Sequence, residues 1–380
     1  MGIRLLVKMG VAAALLLQVS VASAQLSAIA EPFKVGTFGI NGEARVGLVL
    51  RDALIVDLVE ANAALERNDA YAAIPMPEDM LGLIERYEYG LQRRSYEIVN
   101  YLVDNDMLGR RGRPDYIHEV GDVDIMPPIM YPGKVMNAAV NFYTHVGEGG
   151  NAEQQAEALR QRQANRGVPY LFYKPTRGAI IGDGDTVMIP YGRTETDWEV
   201  ELGTVIGRTA KYVSARNAQD YIFGYMVTVD ISDRGGRPPG GFQGVDWFVG
   251  KGHDTFAPQG PWIVPKEFYG DPMENLRQTL SVDGEQMQEA RAGDMIHSLY
   301  ELMEYASSII TLYPGDVLNN GTSGGVGMGT TVRGEQRFLQ AGEKIEASID
   351  GIGTLHINVD AEESVPLGTG SQLPPVESYR

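Results

Sequence analysis

The stretch FKVGTFGINGEARVGLVLRDALIVDL, residues 33–58, sets short apolar runs between polar positions, interrupted at Asn41-Gly42 and Arg51-Asp52. Alternation puts one side of each run in a core and the other toward water, and Asn-Gly accepts the positive φ angles of a tight turn, so the segment predicts a hairpin or meander. The period then changes. Between Pro77 and Asp106, the residues Met80, Leu81, Leu83, Ile84, Tyr87, Leu91, Ile98 and Leu102 recur at helical intervals, which predicts helix. Residues 25–128 are thus expected to form a small α+β lobe, with Pro127, Pro128 and Pro132 at its exit. Residues 129–359 read as mainly β with a few helices. Asp283-Gly284 is expected to turn a hairpin between TLSV and EQMQEA, and Ser298–Ile310 to form a helix closed by Pro314-Gly315. Residues 360–380 are acidic and rich in Gly, Pro and Ser, with little to bury, and predict a loose tail.

One apolar run fits neither lobe. Residues 1–24 place Arg4 and Lys8 before an apolar stretch that ends at Ala22-Ser23-Ala24, the pattern of a secretory leader cleaved before Gln25. A membrane anchor is the alternative, but Met9 to Val21 is short for a spanning helix. The leader predicts export, in a bacterium to the periplasm, and no membrane association afterwards. The chain contains no cysteine, which excludes disulfides and thiolate metal sites. Formal charge is −18, and losing Arg4 and Lys8 with the leader makes it −20. A surface that acidic argues against nucleic acid as a partner, and an anionic substrate would need a metal or a placed Lys or Arg.

Several residues in the second part could carry chemistry. In TDWEVELGTVIG, residues 196–207, a strand would put Glu199 and Glu201 on one face, where two carboxylates repel unless water or a cation intervenes. Taken alone, E-x-E also describes an ordinary solvated strand face. The apolar run YIFGYMVTVD, 221–230, ends in Asp230, a third carboxylate where a buried strand opens into a Gly-rich loop. Oxygen-only ligation favours Mg²⁺, Mn²⁺ or Ca²⁺ over zinc. In VNFYTHVGEGG, 140–150, a helical turn after Asn141 would bring His145 and Glu148 to one side, the arrangement of a base that takes a proton from water. Lys251, in KGHDTFAP, could hold an anionic oxygen or simply lie on the surface.

Taken in order, the segments 134–148, 169–190, 196–208, 230–234, 251–264, 314–327 and 349–359 resemble the fumarylacetoacetate hydrolase family. The resemblance implies a distorted β-roll of mixed strands with a smaller N-terminal lobe, paired into a homodimer. It implies that Glu199, Glu201 and Asp230 bind a divalent ion, Mg²⁺ or Mn²⁺ first and Ca²⁺ as an alternative. It also implies that His145 and Glu148 activate water, that Lys251 binds substrate and stabilises charge, and that Thr322 lies in a ligand-contacting turn. The chain departs from the family's pattern at Ala139-Val140-Asn141-Phe142, where members often have Gly-x-Asn-Tyr, and at Val229-Asp230, where they often have Asn-Asp. In the loop 234–246, Arg234, Arg237 and Gln243 are substrate-binding candidates, with Arg237 or Gln243 in place of the family's glutamine. Residues 147–167 could form a lid or an ordinary surface helix.

The expected function is metal-dependent hydrolysis of a carbon–carbon bond in a small anionic 2-oxo acid or 1,3-dicarbonyl. Isomerisation, decarboxylation or hydration through the same residues is the alternative, and a non-catalytic periplasmic oxo-acid binder a more distant one.

Overall fold

The computed structural model describes residues 28–236, 246–329 and 334–365. The expected leader, Arg237, Gln243 and residues 366–380 of the expected tail lie outside the described residues. Asn41 and Gly42 take φ angles of 53° and 83° and turn the strand Lys34–Ile40 back on Glu43–Leu50. Arg51 and Asp52, at 56° and 52°, turn the chain again into Leu54–Asp57. The helical stretch is interrupted: Met80–Arg86 and Leu91–Asp104 are separate helices. A 3-10 turn over Tyr87–Tyr89 and Gly90 at φ 129° lie between them, because a left-handed glycine cannot continue an α-helix. Asp283-Gly284 turns a hairpin as expected. The helix Leu299–Ile309 starts at Ser298 with a reciprocal capping box to Glu301. The last strand, Gly353–Ala361, runs two residues into the expected tail, because Ala361 still pairs with Ile189.

Among the described residues the N-terminal strands do not form a sheet of their own. Val35 pairs with Ile263 of the strand Ala257–Pro265, so they extend one twelve-stranded sheet that continues through Ile222–Val229, Val200–Ile206, Val317–Asn319 and Val135–Ala138 to an edge at Leu171–Lys174. Side chains alternate across this sheet, and its two faces pack against different partners. Leu202, Val227 and Val229 face a second, five-stranded sheet that contributes Leu280, Ala347, Leu355 and Ile357 to a shared core. Val205, Met226, Val317 and Ile263 face the other way, into a core with Val35, Leu48, Leu83 and Ile98 from the N-terminal segment. Close strand packing dictates Gly203, where an added Cβ would lie 2.6 Å from Thr228 Cγ2.

Candidate active site

Val200 pairs with Val229 in the antiparallel ladder, so the positions flanking that pair, Glu199 and Asp230, face each other across it. The Asp230 N–H donates to the Glu199 carbonyl at 2.8 Å. Glu201 is opposite Thr228, and the two-residue period brings it to the side of Glu199 and Asp230. Carboxylate oxygens of Glu199, Glu201 and Asp230 lie within 4.8 Å of one another. None of the three residues is more than 5% exposed. The bare solvated-face reading of E-x-E is therefore excluded.

Cations answer part of this charge. The Lys251 ammonium donates to Glu199 Oε2 at 3.0 Å, Asp230 Oδ2 at 2.6 Å and Ser232 Oγ at 2.5 Å. The Lys174 ammonium bonds Asp230 Oδ1 and the Ile231 carbonyl. Arg234 Nε donates to Asp197 Oδ2 at 3.0 Å, and its Nη2 bonds Glu199. Burial alone would raise the Glu199 pKa, but Lys251, Arg234 and nearby His145 together hold it well below the usual carboxylate range. Burial lowers the Lys174 pKa to about 8, with the Lys251 charge adding to the fall and Asp230 opposing it. Lys251 is pushed the other way: Asp230 and Glu199 outweigh burial and raise it.

Glu201 lacks such an answer. Its Oε2 accepts from the Gly321 N–H at 3.0 Å and from Asn137 Nδ2 at 3.3 Å, whereas its buried Oε1 has no hydrogen-bond partner. Burial, with Asp230 and Glu199 alongside, raises its pKa well above the ordinary value. Together, Asp197, Glu199, Glu201 and Asp230 set four carboxylates against the three cations Lys174, Lys251 and Arg234. A buried acceptor without a donor costs free energy. An orphaned oxygen among three convergent carboxylates, all hard donors, fits a divalent cation.

His145 reaches the cluster from a different segment. The turn after Phe142 is a 3-10 turn over Tyr143–His145 rather than an α-helix, and Gly147 at φ 77° redirects the chain. The tighter turn still joins the expected pair: His145 Nδ1 lies 2.5 Å from Glu148 Oε2. Glu148 Oε1 accepts from the Gly325 N–H at 2.8 Å, which fixes the carboxylate that orients the ring. The helix that follows, Ala152–Ala164, buries none of its residues. Arg166, just beyond it, ties the segment down through Ile296 and Glu301.

Thr322 lies beneath the cluster. Its hydroxyl donates to the Val200 carbonyl at 2.9 Å and accepts from Gln288 Nε2 at 2.8 Å, so it buttresses the strand that carries Glu199 and Glu201. Sequence reasoning missed Lys174, Asp197, Ser232 and Asn137. Lys174 had a signal: alternation along Leu171–Lys174 puts it on the same side as buried Phe172, an unusual place for a lysine. Asp197 had none, since its role depends on the distant Gly327 and Met328 N–H groups that it accepts from.

With this geometry in place, likeness to known proteins can be set beside it. Residues 134–360 match the fumarylacetoacetate (FAA) hydrolase C-terminal family model. The chain belongs to the fumarylacetoacetate hydrolase family. It is 37% identical over 227 residues to a 2,4-didehydro-3-deoxy-L-rhamnonate hydrolase of a Sphingomonas sp. (strain SKA58), spanning 60% of this chain and 73% of that one. Among solved structures, maleylpyruvate hydrolase from Sphingobium sp. SYK-6, in complex with manganese(II) and pyruvate, aligns with a TM-score of 0.62 at 25% identity. That alignment covers 87% of this chain and 100% of the other. Fumarylacetoacetate hydrolase from Exiguobacterium antarcticum shares the fold, with a TM-score of 0.63 at 24% identity over 87% of this chain and 100% of its own. The mixed, sheet-rich architecture expected from the sequence is thus the architecture of the family. Its three-carboxylate cluster is one that can hold a divalent cation.

Proposed function

We propose that this family member is a divalent-metal-dependent hydrolase that cleaves a carbon–carbon bond in a small 2-oxo acid or 1,3-dicarbonyl of the acylpyruvate type. The observation that carries the reading is the orphaned Glu201 Oε1 among three convergent carboxylates, close to the His145–Glu148 pair. Glu199, Glu201 and Asp230 would hold the ion, Mg²⁺ or Mn²⁺ in preference to Ca²⁺. Bound there, the ion supplies Lewis-acid polarisation of substrate oxygens.

The remaining work falls to side chains. With Nδ1 engaged by Glu148, His145 has Nε2 left to take a proton from water, and the water oxygen adds to the acyl carbonyl carbon. The bond between that carbon and its neighbour breaks, leaving a carboxylic acid and an enolate whose carbon regains the proton. The balance is the addition of one water. Lys251 and Arg234 bring positive charge to the place where negative charge develops on oxygen. Pyruvate, held with Mn(II) in the Sphingobium enzyme, is a 2-oxo acid of the size this site suits.

Product analysis tests the reading. Acetylpyruvate incubated with the Mn²⁺-loaded protein should yield acetate and pyruvate; a product with an intact carbon chain would replace hydrolysis with isomerisation. The leader-like residues 1–24 support export to a periplasm, and the family resemblance supports a homodimer. Fractionation of cells with and without the leader, and sedimentation, test those two proposals.

A further inference from the structure

Phe172 and Trp247 build an aromatic stack that begins one side chain away from the carboxylates. Phe172 sits on the edge strand Leu171–Lys174, opposite Asn137, the amide that donates to Glu201. Its ring is 8% exposed and stacks on Trp247 with centroids 4.5 Å apart and planes 14° apart. The Trp247 indole N–H donates to the Tyr170 hydroxyl at 2.8 Å, and the two rings meet edge to face at 5.8 Å. The Lys251 ammonium lies 5.1 Å from the Phe172 centroid, the same ammonium that bonds Glu199 and Asp230. The stack therefore runs from the acidic cluster outward to Tyr170, which is 55% exposed.

Among the described residues, neither Phe172 nor Trp247 joins any of the three hydrophobic cores. At the inner end of the stack Lys251, Lys174 and Arg234 all direct their charge into the carboxylates rather than toward the outer rings. A substrate whose far end carried a second carboxylate would meet aromatic faces there, and these repel anions. A flat apolar group would stack.

We propose that Phe172 and Trp247 are specificity-determining residues that receive an aryl or conjugated alkenyl substituent on the acyl side of the oxo-acid substrate. The proposal rests on the metal-held oxo-acid reading above. The test uses the Mn²⁺-loaded protein and titrates pyruvate, phenylpyruvate and 2-oxoglutarate by calorimetry. Phenylpyruvate should bind about tenfold more tightly than pyruvate, and 2-oxoglutarate more weakly than phenylpyruvate. Trp247→Leu should erase most of the phenylpyruvate-to-pyruvate ratio. Tyr170→Phe, a milder change that frees the indole N–H, should reduce it about twofold. If pyruvate binds and phenylpyruvate gains nothing, or if 2-oxoglutarate wins, the specificity proposal fails and the site reading stands. If no oxo acid binds, it is the site reading that fails. If Trp247→Leu leaves the ratio intact and instead changes the sedimentation coefficient, the stack is an interface between copies and the proposal is overturned.

Discussion

Arg94 in the N-terminal segment and Glu201 in the acidic cluster are each 1% exposed, yet they are surrounded in opposite ways. Arg94 has partners at every guanidinium nitrogen: Nε donates to Glu97 at 3.0 Å, Nη1 bonds Asn62 and Glu66, and Nη2 bonds the Ala72 carbonyl. Glu201 keeps one oxygen without a partner and has two more carboxylates as neighbours. Both are costly to bury, but only the first cost is offset within the described chain. The difference separates a charge answered by its own chain from one left unanswered, the condition that the proposed metal site would meet. Burial alone would not have distinguished them.

The comparison can be broken at several points. The largest effect belongs to the proposed base near the acidic cluster: His145→Ala should cut turnover by about 10²- to 10⁴-fold. Mn²⁺ affinity, read by calorimetry, should stay near wild type, and normal turnover would remove His145 from the chemistry. Arg94→Met leaves Glu66 without its cation and takes the donor from Asn62 Oδ1 and the Ala72 carbonyl, while Glu97 keeps Arg93, and should cost about 2 kcal/mol in urea denaturation. Its metal affinity should not change; a variant as stable as wild type would show that the satisfied cluster does not hold structure.

Glu201→Gln should act in the opposite sense on the metal-free protein. Removing one of the crowded charges should raise stability in EDTA by about 1 kcal/mol, and a loss instead would mean that the carboxylate is needed structurally. The smallest effect concerns His297, whose Nδ1 lies 3.2 Å from Arg166. Burial and the Arg166 charge lower its pKa from 6.5. The unfolded chain then binds the proton more readily, so stability should fall as pH drops through 6.5 and below. His297→Gln should shrink the melting-temperature difference between neutral and mildly acidic buffer by about 1 °C. An unchanged difference would assign that pH dependence to other groups.

Local signals were legible in the sequence wherever local chemistry dictates structure. Asn41-Gly42 and Asp283-Gly284 turned where their positive φ angles allow, and Ser298 with Glu301 capped a helix. Glu199, Glu201 and Asp230 could be picked out from the two-residue spacing of the glutamates, from the aspartate that ends the apolar run 221–230 and from the family resemblance. The break at Gly90 was hidden, since apolar spacing continues through it while the backbone does not. Asn137 escaped because it gains meaning only from sheet order, which sets remote segments side by side, whereas the alternation that buries Lys174 beside Phe172 shows an unusual lysine but not its partner Asp230. The continuity of the N-terminal strands with the main sheet was equally hidden. A single cross-pair, Val35 with Ile263, makes it, and no periodicity encodes that pair.

The proposed metal site rests on Glu201, whose Oε1 is buried without a partner. Its most direct test is calorimetric titration of Mn²⁺ into metal-stripped wild-type protein and Glu201→Gln. One site per chain is expected in the wild type, with an affinity weaker by at least about 100-fold in the variant. Equal affinities, or no binding to the wild type, would contradict it.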